Sequence, residues 1–323
     1  MKALTSILSM TLAALVSMSD AQAQAYPSQP VRIVVPYTPG GPADVLARSL
    51  GQQLGQKWGQ TVIVDNKPGA NEMIAAQEVA RAPGDGYTFL MASDAVFSLN
   101  KHLYSKIPYE PTDFVPVSKL VTANLMLVAR PDLPVSSLKE LVDYAKQNPN
   151  KLNYASVGLG GVNHLAMAWF NSLNNLEMQH VPYKGLPQAL QDISASRVDV
   201  GFAVIGGAAP LLAAGKLKAL AVAGKGRAAL APNVPTFGEA GYPQFDASFY
   251  FAIAAPKGTP DAAARKFAQD ASAVINDSEF KAKYLANLGF EAIGDTPAQF
   301  AAFLVDDRAL AQKKVSVSGA KLD

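Results

Sequence analysis

Two hydrophobic periods alternate along the chain. Short apolar, often β-branched runs read as buried strands, and stretches with apolar positions every three to four residues read as helices. Val31–Val35 is the first such run, and Pro36 ends it. Thr38-Pro39-Gly40-Gly41 then forms a tight turn, and Pro42 opens a helix in which Val45, Leu46, Ser49 and Leu50 fall at helical spacing. Further strands are predicted at residues 61–64, 87–92, 115–120, 125–129, 152–156, 198–205, 217–222 and 249–254. Helices are predicted at 73–81, from Ser93-Asp94 through Leu103, after a capping box of Ser137 and Glu140, through Trp169 and Leu173, and at 188–194. Three more follow at 260–275, 278–288 and from Pro297 to about Lys313. This alternation predicts an α/β fold with parallel-rich sheets, whose ligands bind at the carboxyl ends of strands.

The strand ends carry the polar and glycine-rich positions. Gly40-Gly41, Gly158-Leu159-Gly160-Gly161 and Gly206-Gly207 each follow a strand and open a helix, and Ser93-Asp94 stands at a fourth junction. Helix starts leave N–H groups unpaired and so favour anions. The turn at Gly158 fails as a dinucleotide fingerprint, because Asn163 occupies the third glycine position, and it lacks the Lys-Ser/Thr ending of a P-loop. Such a site suits a carboxylate better than a polyphosphate.

With 323 residues there is room for about two domains. A net charge of +2 argues against a nucleic-acid platform, and the absence of cysteine excludes disulfides, thiolate chemistry and Cys-ligated zinc. At the N-terminus, Lys2 precedes an apolar stretch over 4–18 that is too short to span a bilayer, and small-x-small patterns end at Ala23 and Ala25. Residues 1–25 therefore read as a cleaved signal peptide, placing the mature protein in a periplasm.

Individual residues sharpen the picture. Asp44, in a first helical turn, suits a cap or dipole partner that also shapes a site. His164 suits a structural role at a helix start, and His102 and His180 show no ligand spacing with it, so no metal site is expected. Ser156 suits a hydroxyl donor to a carboxylate, since its context, Ala-Ser-Val-Gly, is not a nucleophile elbow. Tyr37 and Phe97 follow strand ends and are candidates for stacking on a ligand, whereas Trp169 and Phe170 belong to a core. Lys184 and Arg130 fit solvated surface roles, with carboxylate neutralisation as the alternative.

Several segments stand in one order: 31–48, Val64-Asp-Asn-Lys-Pro-Gly-Ala70, Ala82-Pro-Gly-Asp-Gly-Tyr-Thr88, His180-Val-Pro-Tyr-Lys-Gly185, 214–222, 233–241 and Ala255-Pro-Lys-Gly-Thr-Pro260. Across essentially the whole mature chain this resembles the Bug family, the tripartite tricarboxylate transporter receptors of the TctC type. The resemblance implies a two-domain, Venus-flytrap periplasmic binding protein of type II-like architecture with a hinge. Domain 1 would comprise residues 26–124 and 249–323, and domain 2 residues 125–248. Such a receptor is not an enzyme, needs no cofactor, and works as a monomer that delivers a small carboxylate to the large and small subunits of a membrane permease.

By position, the resemblance makes Tyr37, Thr38, Gly40 and Gly41 one jaw, and Ser156, Gly158, Gly160, Gly161 and His164 the other, with backbone N–H groups and ordered waters holding a carboxylate. Ser93 and Asp94 would read the rest of the ligand. Two departures stand out. Phe202-Ala203-Val204 replaces a Phe-Asp-Asn pattern, and Asn71-Glu72-Met73 replaces a glycine-rich loop. Ala203 and Val204 would make the pocket more apolar, and the two departures together argue against a citrate-like or amino-acid ligand and favour an apolar or aromatic acid. The competing reading is a periplasmic hydrolase of small carboxylate esters or amides, which requires a base beside a nucleophile.

Overall fold

The computed structural model describes residues 26–183, 185–224 and 226–322. The segment read as a signal peptide, and Lys184, lie outside the described residues.

In chain order, Val31–Val35 (β1) feeds Pro42–Trp58 (α1), and Val62–Asn66 (β2) leads through a left-handed turn at 70–72 into Met73–Ala80 (α2). Thr88–Ser93 (β3) runs into a wide helical turn, Ala95–Leu99, and then Asn100–Leu103. Phe114–Ala123 (β4) is separated from Leu125–Ala129 (β5) by Asn124 alone. Then come Leu138–Gln147 (α3), Asn153–Ser156 (β6), Val162–Asn174 (α4), Gln179–Pro182 (β7), Leu186–Ser194 (α5), Val200–Val204 (β8), Ile205–Ala213 (α6) and Lys218–Ala223 (β9). Phe249–Pro256 (β10), Asp261–Asn276 (α7), Phe290–Ala292 (β11) and Pro297–Ser318 (α8) complete the described fold.

The strands form two sheets, β11-β4-β10-β3-β1-β2 and β7-β6-β8-β5-β9. Pairings within β2-β1-β3 and β7-β6-β8 are parallel. Strand β10 is antiparallel to both its neighbours, and so is β5. These are the strands by which the chain enters one sheet from the other. The sheets are thus mixed, with the reversed strand marking each crossing.

Both faces of each sheet are covered. Val31, Ile33 and Val35 pack with Leu46, Leu50 and Leu54 of α1, while Val34 packs on the other side with Ala75, Ala76 and Val79 of α2. In β5, Leu125, Leu127 and Ala129 face one cluster and Met126 and Val128 the other. Burial on both faces is why these strands are continuous apolar runs. Helices α1 and α7 are tied through the buried Asp270. It accepts from Trp58 Nε1 at 2.6 Å, lies 2.8 Å from Lys57 Nζ, and pairs with Lys266.

Ser137 accepts from the Glu140 N–H as the capping box requires, but Glu140 reaches back to Ser136 instead of Ser137. The helix expected over 278–288 is broken into short turns, and β7 and β11 are strands without a predicted counterpart.

Phe267 is fully buried, with its ring centroid 4.2 Å from that of Phe89 and 5.7 Å from that of Trp58. Phe267→Ala is expected to destabilise the protein by about 3–5 kcal/mol. Urea denaturation checks this as a lower midpoint with an unchanged slope.

Candidate functional site

The turn after β1 is held from beneath by Asp44. Gly41 caps α1 without any side-chain hydrogen bond, and Gly40 takes a φ of 86°, which a glycine adopts without strain. The Gly40 N–H donates to Asp44 Oδ2 at 2.9 Å, Arg48 Nε donates to the same oxygen at 2.9 Å, and Asn66 Nδ2 donates to Oδ1 at 2.8 Å. Burial works to raise the Asp44 pKa, but these bonds outweigh it and the pKa is lowered. Asp44 therefore organises the turn, with its oxygens taken up by the protein's own donors. Thr38 and Gly40 are exposed, and space is open where a Gly40 side chain would stand.

Beside this turn lies a buried acidic group. Tyr37 packs edge-on to Phe251 at 5.6 Å, and its hydroxyl donates to Glu72 Oε1. The Ser93 N–H donates to Glu72 Oε2 at 2.9 Å, and the Ser93 hydroxyl donates to Oε1 at 2.5 Å. Asp94 is buried next to them. Its burial, with Asp307 nearby, raises its pKa to about 8, Lys314 opposing. Phe97 does not stack on a ligand position, because it is buried among Phe114, Tyr250 and Phe300.

The second jaw is built on the ends of β6 and β7. Ser156 Oγ accepts from the Gly158 N–H at 3.1 Å and lies 2.6 Å from His180 Nε2. His180, Tyr154 and His164 cluster in a triangle, with ring centroids 5.0 Å (Tyr154–His180), 4.3 Å (His164–His180) and 6.3 Å (Tyr154–His164) apart. His164 Nδ1 accepts from the Gly160 N–H at 3.2 Å. Burial, with His180 beside it, lowers the His164 pKa to about 4, so the ring is neutral and can accept. Gly161 caps α4 with no side-chain hydrogen bond, as Gly41 does for α1.

The Ser156–His180 pair meets the first geometric condition of the hydrolase reading. It goes no further: Ser156 is 2 % exposed, and no carboxylate hydrogen-bonds His180 among the described residues. A nucleophile needs access and an oriented base.

The two halves of the molecule approach closely at glycines of the five-stranded sheet's side. A Cβ on Gly160, whose φ is 75°, would stand 2.6 Å from Leu322 Cδ1 and 3.3 Å from Leu103. One on Gly206 would stand 2.5 Å from the Asn287 carbonyl oxygen. Val204 packs against the cores of both sheets. Ala203 points the other way, into the core with Met126, Val128 and Ile193. Its methyl therefore does not line the cleft, and the inference of an apolar pocket loses half its basis. Between the domains a small cavity is lined by Asp94, Leu165, Ala166, Asp246 and Lys314.

Sequence reasoning did not assign Glu72, His180, Asp307 or Lys314 to the site. Glu72 gave one signal, a charged residue in a loop expected to be glycine-rich, and His180 stood within a motif. Arg130, read as solvated, is paired with Asp199 at 2.8 Å and Asp132 at 2.6 Å.

A family model described as tripartite tricarboxylate transporter family receptor, TctC, matches residues 46–317. Protein BugT of Bordetella pertussis is 34% identical over 305 residues, covering 93% of this chain and 92% of that protein. Among solved structures, R. palustris Rpa4515 with adipate matches with a TM-score of 0.82 and 32% identity, over 92% of this chain and 100% of that one. MatC from Rhodopseudomonas palustris with bound malate matches with a TM-score of 0.77 and 30% identity, over 90% of this chain and 100% of that one. Two mixed sheets, jaws of glycine turns at strand ends and a match of this extent have one reading: the chain belongs to the TctC family of solute-binding receptors of tripartite tricarboxylate transporters.

Proposed function

We propose that this receptor captures one small organic carboxylate between two domains, residues 26–124 with 249–323 and residues 125–248, in a periplasm reached through the segment read as a signal peptide. It then passes the solute, as a monomer, to the membrane subunits of a tripartite transporter. The observation that carries this reading is the start of α4. Its N–H groups are uncapped, it sits where the domains touch, and a neutral histidine holds its turn. Such a helix start favours an anion, and excluded water strengthens the attraction. The dicarboxylates in two matched structures support a carboxylate here. Among the described residues no helix is long and apolar enough to cross a membrane.

Thermal unfolding of the secreted protein with a panel of aliphatic and aromatic carboxylates tests the proposal. A ligand that binds only the folded state must raise the melting temperature. The proposal fails if no acid does so and mass spectrometry of denatured protein releases no co-purified acid. Gly160→Val is expected to weaken binding by at least about tenfold, equal to 1.4 kcal/mol. The valine would collide with Leu322 and Leu103 and would occupy a φ that β-branched residues avoid. Titration calorimetry against wild type checks this.

Two buried groups set opposing pH slopes. His164, lowered from 6.5 to about 4, contributes stability that is complete above 6.5 and is lost as pH falls through about 4. Asp94, raised from 3.8 to about 8, contributes stability that is complete below 3.8 and is lost as pH rises through about 8. Their slopes oppose one another in the acid range, leaving a decline from pH 6.5 to 8 that Asp94→Asn is expected to flatten. His164→Gln is expected to move the pH of maximal melting temperature towards acid. Melting curves from pH 4 to 8 decide both.

A further inference from the structure

We infer that His180 is a positioning residue of this receptor: it donates from Nε2 to the Ser156 hydroxyl, and through that hydroxyl it fixes the Gly158 turn from which the start of α4 meets a ligand. The inference rests on the receptor reading and deepens it.

The hydrogens available at Ser156 carry the assignment. Three contacts converge on Ser156 Oγ: the Gly158 N–H at 3.1 Å, the Gly158 carbonyl at 3.1 Å and His180 Nε2 at 2.6 Å. A hydroxyl has one hydrogen to give and two lone pairs with which to accept. The Gly158 N–H can only donate and the carbonyl can only accept, so the hydroxyl hydrogen goes to the carbonyl and one lone pair is filled. All three contacts are hydrogen bonds only if His180 Nε2 carries a hydrogen and fills the other lone pair. Burial lowers the His180 pKa, so the ring is neutral at neutral pH and Nδ1 is bare. A general base would need the reverse, a bare Nε2 that takes the serine hydrogen. The pair therefore holds a turn and does not activate a nucleophile.

The far side of the turn is held in the same manner. His164 Nδ1 accepts from the Gly160 N–H, which leaves its own hydrogen on Nε2. The Gly161 N–H donates to the Gly158 carbonyl at 3.3 Å. The N–H groups of all three glycines are thus taken up within the turn. Among the described residues, those of Val162, Asn163 and His164, the first turn of α4, have no acceptor, and a carboxylate can meet them. Their direction depends on the turn before them. Gly158 and Gly160, at φ of 120° and 75°, give that turn little conformational preference of its own. His180 reaches it because parallel pairing of β6 with β7 sets His180 beside Tyr154, two residues before Ser156. Packing alone does not call for an imidazole here, since a phenylalanine could lie against Tyr154 and His164 as well. What the imidazole adds is the donor.

Two measurements test this on the secreted protein. In proton–nitrogen correlation spectra of the rings of the three histidines, His180→Gln identifies the His180 signals by their loss. The wild-type ring is expected as the neutral tautomer with its hydrogen on Nε2, and a ring carrying it on Nδ1 overturns the inference. Titration calorimetry with succinate, adipate, malate and benzoate then reads affinity for whichever acid binds wild type most tightly. His180→Phe and Ser156→Ala are each expected to weaken binding at least about tenfold, and the double variant no further than the weaker single one, because the histidine acts through the hydroxyl. His180→Gln, whose amide N–H can reach the same oxygen, is expected to stay within about threefold of wild type. Losses that multiply in the double variant, full affinity in Ser156→Ala, or a His180→Gln as weak as His180→Phe overturn the inference and leave the receptor reading standing. If His180→Phe does not fold, the wild-type tautomer, Ser156→Ala and His180→Gln still decide it. A wild type that binds no carboxylate, added or co-purified, overturns the receptor reading and the inference with it.

Discussion

The domains approach one another through backbone, and much of the site follows from that steric constraint. Gly160 and Gly206 belong to the five-stranded domain, and each stands so close to the other domain that a Cβ would be too near Leu322 or the Asn287 carbonyl. Close approach brings an uncapped helix start to the seam, where its N–H groups act in surroundings poor in water. It also lets α8, which follows the six-stranded sheet in sequence, lie across the boundary. Leu310 packs against the five-stranded core, while Ala311 and Val315 share a cluster with Leu165 of α4. The seam is therefore part apolar strut and part polar cleft.

The sequence made most of the architecture legible because both sheets are covered on two faces. Strands such as Val31–Val35 and Leu125–Ala129 have no wet side, so they appear as apolar runs with no competing period. Strand β7 escaped because it is a sheet edge, half-exposed, and reads Gln-His-Val-Pro. The three residues of β11 are too short to show a period. The glycine turns were legible for a backbone reason: Gly40, Gly158 and Gly160 take positive φ, and a strand followed by such glycines and a helix pattern announces it.

Side-chain direction was less legible, since it depends on register. Ala203 pairs with Met126 and therefore shares its face, the buried one, whereas Phe202 and Val204 face the other way. A residue at a strand end can point at a ligand or away from it, and nothing local distinguishes the two. Phe97 and Tyr37 show the same limit. Phe97 turned into the core, and Tyr37 directed its hydroxyl to a residue 35 positions away. The Ser156–His180 contact likewise depends on parallel pairing of β6 with β7.

Glu72 raises the question of how a fold tolerates so unfavourable a residue. Three successive left-handed residues cost roughly 1–2 kcal/mol each, and a buried carboxylate adds desolvation. The reciprocal Asn71–Asn100 bonds and the three donors to Glu72 offset part of this, yet burial still raises the Glu72 pKa. The Asp94 pKa is raised as well, for the same first reason. A fold that needed only a core would gain by replacing both with apolar residues. The fold meets the cost at Asp94 by neutralising the group: a pKa of about 8 keeps its carboxyl protonated at neutral pH, so a buried position that a charge could not occupy cheaply is held by an acid that can itself donate a hydrogen bond.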